Sequence, residues 1–161
     1  MPKLRYKTFE QYRAIPAVNF STLKLASRSL ARYKWAVEHP IDEPTDAMDF
    51  GSACHAAVFE PERFLDEVVA WRGGRRAGKD WEAFAAANDD KIILKADDYD
   101  QIQALRASVR GHDVAGKLLA KGVAEKSIKW TDVETGLDCK ARLDWIAKPA
   151  PICDLKTTRD V

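Results

Sequence analysis

Cysteine is scarce in this chain: its 161 residues contain three, Cys54, Cys139 and Cys153, with no CxxC spacing. An odd, unclustered set excludes a disulfide framework and a cysteine-ligated zinc or iron–sulfur centre. Cys139 and Cys153 fall in predicted strands on the faces opposite nearby acidic residues, so both are expected to be buried free thiols. No apolar run approaches the ~20 residues of a membrane span, and Met1-Pro2-Lys3-Leu4-Arg5 has no apolar signal region behind it. The expectation is a cytoplasmic protein with no membrane partner. Surplus charge is missing as well, because 26 basic residues nearly cancel 25 acidic ones. That excludes nucleic-acid binding by bulk charge, so any such contact must come from a local patch. Internal repeats and low-complexity segments are absent.

What is present is a globular composition, 46% hydrophobic and 32% charged, enough for one domain with its own core. Residues 1–18 read as an irregular lead-in. Asn19 or Ser21 can cap a helix over 19–37, with Leu23, Ala26, Leu30, Tyr33 and Val37 at helical spacing. A loop over 41–46 precedes a second helix, 47–59, whose run Gly51-Ser52-Ala53-Cys54-His55-Ala56-Ala57 lets another backbone approach closely. The glycine-rich segment 71–79 is expected to be mobile, and a short helix over 81–87 follows it. A stronger helix runs from Asp97 or Asp98 to Val109, with Tyr99, Ile102, Leu105 and Val109 on one stripe. A further turn or two covers 114–120, and Gly122 suits the position after it. The pattern then changes to strands over 124–131, 137–147 and 152–157, with a turn at 134–136 and a Pro-Ala-Pro loop at 149–151. Helices first and strands after give an α+β fold, a single domain over 1–161 that is mainly helical to 123 with its strand core over 124–161. Trp35, Trp130 and Trp145 are most simply core.

The last strands carry the chemistry. A period of two sets Lys140, Arg142 and Asp144 on one face of 137–147, and Ile152, Asp154 and Lys156 on one face of 152–157. Aspartate is depleted inside strands, and one held between Ile152-Cys153 and Leu155 is costly unless it is paired or binds a metal. Two carboxylates converging with a lysine can collect a hard divalent cation and position a water, the equipment for phosphodiester hydrolysis. Arg142 and Lys140 share the Asp144 face, where they either hold a phosphate or form a solvated basic pair. Glu125 precedes the first strand as an acid assisting through water or as an exposed helix-to-strand residue. In the loop Trp71-Arg72-Gly73-Gly74-Arg75-Arg76-Ala77-Gly78-Lys79, basic groups and flanking tryptophans suit either phosphate contact with base stacking or a solvated loop. His55, alone among alanines, reads first as a packed core residue.

The arrangement Asp144 followed by Asp154-Leu155-Lys156 is the signature of the PD-(D/E)xK nuclease superfamily. The stretch 48–64, with Gly51-Ser52-Ala53-Cys54-His55, Glu60-Pro61 and Phe64, resembles a helix of RecE-type (exonuclease VIII-like) phage recombination nucleases. Residues 19–34, Ile93-Leu94, 131–136, Lys140-Ala141-Arg142-Leu143-Asp144 and Asp154-Leu155-Lys156-Thr157-Thr158 follow the same family's order. The likeness covers roughly 17–160. It implies a restriction-endonuclease-like core, with helices on a small mixed, mainly antiparallel sheet. It makes His55, Asp144 and Asp154 metal ligands and Lys156, with the two aspartates, catalytic. It further implies Mg²⁺, with Mn²⁺ able to substitute, and 5′-to-3′ exonuclease action on linear double-stranded DNA ends in phage-type recombination, within a bacterial host or phage-infected cell. A single-strand annealing protein as partner and a homo-oligomeric ring complete the expectation. Leu143 stands where the family usually has proline. The family's later helix, bearing a Gln and a Tyr, and its further strand do not occur within these residues, so the sheet is expected to be truncated after its third core strand. The alternative is a catalytically incomplete nuclease-fold module that binds DNA or supports assembly.

Overall fold

A computed structural model describes residues 5–6, 8–39, 44–149 and 151–158. The signal-region reading at 1–4, residues 41–43 of the expected loop, Ala150 of the Pro-Ala-Pro loop and the end of the chain at 159–161 lie outside the described residues. In chain order the elements are β1 (Arg5–Tyr6), α1 (Phe9–Arg13), α2 (Phe20–Ala26), α3 (Leu30–Glu38), α4 (Asp46–Phe59), α5 (Pro61–Glu67) and β2 (Val68–Trp71). There follow α6 (Lys79–Ala86), β3 (Ile92–Lys95), α7 (Ala96–Gly111), α8 (Asp113–Leu119), β4 (Gly122–Thr131), β5 (Asp138–Ala147) and β6 (Ile152–Cys153). The class is α+β, with small sheets. No described helix is long and apolar enough to cross a membrane. The chain divides into two compact units, one of Met1–Glu43 with Gly122–Asp154, the other of Pro44–Lys121 with Leu155–Val161.

The first unit is built on an antiparallel sheet of order β1-β4-β5-β6. Asp132 closes the β4–β5 hairpin: its Oδ2 accepts from the Thr135 amide and hydroxyl at 3.0 and 2.6 Å, and Gly136 takes φ 70°. From Thr8 onward the lead-in forms a short helix where an irregular segment was expected. Thr8 and Gln11 form a reciprocal capping box at the start of α1, and Val18 bridges to Cys139 in parallel. At the other end of α1 the ammonium of Lys140, 6% exposed, donates to the carbonyls of Tyr12, Arg13 and Ile15 at 3.1, 2.9 and 2.8 Å. It also lies 5.0 Å above the Tyr12 ring. Burial first, and the Arg13 guanidinium second, draw the Lys140 pKa below the ordinary lysine value.

The single helix expected over 19–37 is two. The Ser27 hydroxyl donates to the Lys24 carbonyl at 2.7 Å, and Ser29 caps a new helix by accepting from the Arg32 amide at 3.4 Å. Serines offering the backbone such alternatives interrupt a helix. The predicted stripe therefore does not fall on one face, and Leu23, Leu30, Val37 and Trp35 are exposed. Trp130 is exposed too, leaving Trp145 as the core residue of the three. Gly122 opens β4 rather than closing α8. A Cβ there would stand 2.4 Å from the Trp145 ring and 2.5 Å from the Ile146 carbonyl oxygen.

In the second unit the small residues of α4 do what their size suggests. Ala53, Cys54, Ala56 and Ala57 are buried in one cluster with Phe64, Val68, Leu94 and Ile102, and Tyr99, Leu105 and Leu155 pack against it. Thr45 caps α4 by accepting from the Met48 amide at 3.3 Å. The Arg110 guanidinium closes its far end on the Val58 carbonyl at 3.0 and 2.5 Å. The strands β2 and β3 pair in parallel, Val68 with Ile92 through Trp71 with Lys95, joined by a crossover that contains α6. Four-residue apolar runs are too short for periodicity to separate strand from helix, which is why this pair escapes the sequence. The cysteines are all free, but only Cys54 is buried; Cys139 and Cys153 are half-buried because their strands leave that face partly open.

Two outcomes follow. Lys140→Met strands three carbonyls beside α1 and should lower stability by about 2–3 kcal/mol in urea denaturation. Gly122→Ala, which forces its methyl into Trp145 and backbone, should cost about 1–3 kcal/mol in the same measurement.

Candidate active site

The register of β4 with β5 pairs Ala124 with Trp145 and Lys126 with Leu143. Glu125 and Asp144 face each other on the rung between, and that rung is unformed. The backbone explains why: Glu125 has φ 54°, in the left-handed region that non-glycine residues rarely enter. Holding it there costs on the order of 1–2 kcal/mol. Like charges directly opposite each other destabilise a sheet, yet ligand oxygens of Glu125 and Asp144 lie within 4.8 Å of one another. The offset is Arg142, two residues before Asp144 on the same face, whose Nε donates to Glu125 Oε2. The Arg142 and Glu125 side chains are 14% and 13% exposed, so Glu125 is not the solvated acid that one sequence reading allowed.

The strand β6 pairs Cys153 with Trp145 and Ile152 with Ile146. Asp154 follows Cys153 directly, one position past this pairing. The pairing expected over 152–157 stops at Cys153, so Asp154 and Lys156 lie just beyond the strand and are exposed. Leu155 packs, partly buried, against the apolar cluster of the second unit. The carboxylate of Asp154 does not join the close grouping of Glu125 and Asp144. His55 lies half-buried on α4, its ring edge-on to Phe59 at 5.9 Å.

Residues 19–161 match the family described as a PDDEXK-like domain of unknown function (DUF3799). The chain belongs to this PDDEXK-like family. No curated protein matches it. Membership places the chain in the PD-(D/E)xK nuclease superfamily, whose nucleases are generally divalent-metal dependent, and suggests a nuclease-type function. The donor set of the PDDEXK-like chain fits a hard cation. Two carboxylates converge across one sheet rung. On the same face Ser127, opposite Arg142 and 2% exposed, carries a hydroxyl with no hydrogen-bond partner. Oxygen donors of this kind suit Mg²⁺, Mn²⁺ or Ca²⁺ alike.

The basic residues expected at DNA divide by their surroundings. Lys140 is buried and holds the end of α1, a structural task that consumes its three donors. Arg72 makes a two-pronged contact with Asp100 at 3.1 and 2.7 Å, and its hydrogen bonds hold the Asp100 carboxyl below the usual range. Arg76 donates to Asp46 at 3.4 Å and to the Ile93 carbonyl at 2.5 Å, and sits 5.5 Å over the Trp81 ring. Arg75 stands exposed at the tip. Within the same loop Trp71 Nε1 donates to the Gly74 carbonyl at 3.1 Å.

Breaking the half-buried pair isolates its energetics. Arg142→Met leaves Glu125 facing Asp144 without its cation and should cost about 3 kcal/mol. Adding Glu125→Met should recover most of that loss in urea denaturation. Additive losses in the double variant would mean that the two side chains are not coupled.

Proposed function

We propose that this PDDEXK-like protein is a Mg²⁺-dependent 5′-to-3′ exodeoxyribonuclease of RecE type, acting on linear double-stranded DNA in phage-type recombination within the cytoplasm. What supports the reading is the convergence of Glu125 and Asp144, whose ligand oxygens lie within 4.8 Å of one another, with Asp154 and Lys156 following just past β6. In this reading Asp144 and Asp154, with His55 as the motif implies, hold the cation, and Glu125 is a further oxygen donor. Mg²⁺ bound there supplies a Lewis acid to the scissile phosphate, and Mn²⁺ substitutes for it. Lys156 orients the attacking water and offsets charge as the phosphorus gains its fifth oxygen. Arg142 keeps Glu125 in place and presents a cation beside the phosphate. Arg72, Arg75 and Arg76, on their glycine-rich loop, meet the DNA backbone, with Arg75 the most available of them. A homo-oligomeric ring and a single-strand annealing partner belong to the same reading.

Digestion of linear duplex to acid-soluble nucleotides in Mg²⁺, with circular duplex spared and EDTA abolishing release, is the expected result. Asp144→Asn and Lys156→Ala should each lower the rate by about 10²–10³-fold or more, and Glu125→Gln by less. Equal digestion of circles would point to an endonuclease. Full activity in Asp144→Asn would remove the assignment, and a chain that binds duplex but never cuts would be a binding module instead.

A further inference from the structure

Away from the acidic rung, the pair of helices α2 and α3 has a surface that the nuclease reading does not use. Their inward positions are occupied by Thr22, Leu25, Ala26, Tyr33 and Ala36, all half-buried. The outward positions hold large apolar side chains that stand exposed: Phe20 is 79% exposed, Leu30 75% and Trp35 61%. Such exposure of aromatic and aliphatic groups on two short consecutive helices marks an interaction surface. Interleaved with them are Lys24, Arg28, Arg32 and Lys34, against the single acid Glu38, which pairs with Lys34 at 3.8 Å. Phe20 and Lys24 stand one helical turn apart, as do Leu30 and Lys34, so each helix presents an apolar group beside a cation. Trp35 carries a second flat ring with it. His39 stacks on the indole at 4.9 Å and 13°, anchored by a 2.9 Å hydrogen bond between its Nδ1 and the Trp35 carbonyl.

Cations chosen with exposed rings suit a polyanion whose bases are uncovered. A duplex buries the faces of its bases and offers phosphates alone, whereas a single strand offers both. A second copy of this chain is a poorer occupant, because a two-fold contact through this face would set Lys24, Arg28 and Arg32 against cations of the same kind. We propose that the α2–α3 hairpin binds single-stranded DNA, with Phe20 and the Trp35–His39 stack receiving bases and Lys24, Arg28, Arg32 and Lys34 receiving phosphates. That the strand is DNA rests on the nuclease reading; the binding surface itself does not. An enzyme that digests one strand of a duplex uncovers the other, and this hairpin would hold it.

The test uses the full chain in EDTA, so that nothing is cut, with fluorescence anisotropy of labelled oligo(dT) and of a labelled blunt duplex. Phe20→Ser/Trp35→Ala should weaken oligo(dT) binding about 10-fold or more, since each lost base–ring stack is worth about 1–3 kcal/mol. Duplex affinity should be unchanged. Lys24→Gln/Lys34→Gln should reduce the salt dependence of oligo(dT) binding by about 1.4 in log–log slope, roughly 0.7 per phosphate. These side chains are exposed, so unchanged thermal unfolding will show that the variants fold. Unaltered oligo(dT) affinity in Phe20→Ser/Trp35→Ala overturns the proposal. So does a fall in oligomeric mass in that variant with oligo(dT) affinity retained, which would assign the face to a second copy. Measured beside these, release of nucleotides from linear duplex in Mg²⁺ reports on the nuclease reading separately. Ring-dependent strand binding without digestion sinks that reading alone, and digestion without ring-dependent binding sinks the hairpin alone.

Discussion

The Arg142–Glu125 ion pair makes the centre of the first unit possible. Two acids opposed on neighbouring strands repel, and the left-handed backbone at Glu125 adds strain to the repulsion. A guanidinium planted two residues from Asp144 answers both. Its planar donors hold the Glu125 carboxylate in one orientation, and its charge lowers the local negative potential. With that contact formed, a pair of carboxylates can converge across one rung without the sheet separating. Each side chain is mostly withdrawn from water, so the attraction is little screened by salt.

The cations of β5 illustrate how burial sorts residues that look alike in sequence. Lys140 and Arg142 alternate onto the same face, and the strand pattern gives them the same candidate role. Lys140 meets the end of α1, where three carbonyls point at a spot that only a compact triple donor can serve. Arg142 meets the Glu125 carboxylate. What sets Lys140 apart is its contact with the carbonyls of Tyr12, Arg13 and Ile15 in the segment 8–18. Cation π contact with Tyr12 and the Val18–Cys139 bridge fix it there.

Much of the second unit was legible in the sequence because its signals are long. The alanine-rich helix and the helix over 96–111 carry three or more turns of consistent pattern, and Asp97 and Asp98 occupy the first turn of α7, where acids favour the helix dipole. The β4–β5 hairpin is equally plain, with ten-residue strands about a Thr-Gly turn. The illegible parts are short or depend on distant partners. The capping box Thr8-Phe9-Glu10-Gln11 was present as a signal in the lead-in, but a five-residue helix has too little periodicity to stand out. The end of β6 at Cys153 is not marked by any local pattern around Asp154 and Lys156. At the site, the aspartates and the lysine were readable from the motif, whereas Glu125 was ambiguous. Its placement arises from register and a backbone angle, and only an acid sitting within a strand hinted at it.

That backbone angle sets the interests of the main chain against those of the side chain. Position 125 has the conformation in which glycine or asparagine would sit at ease, and either would relax the strand and remove a negative charge from beside Asp144. Mutational drift governed by robustness alone would carry the residue in that direction. A glutamate at this angle marks a place where the chain carries backbone strain together with a carboxylate.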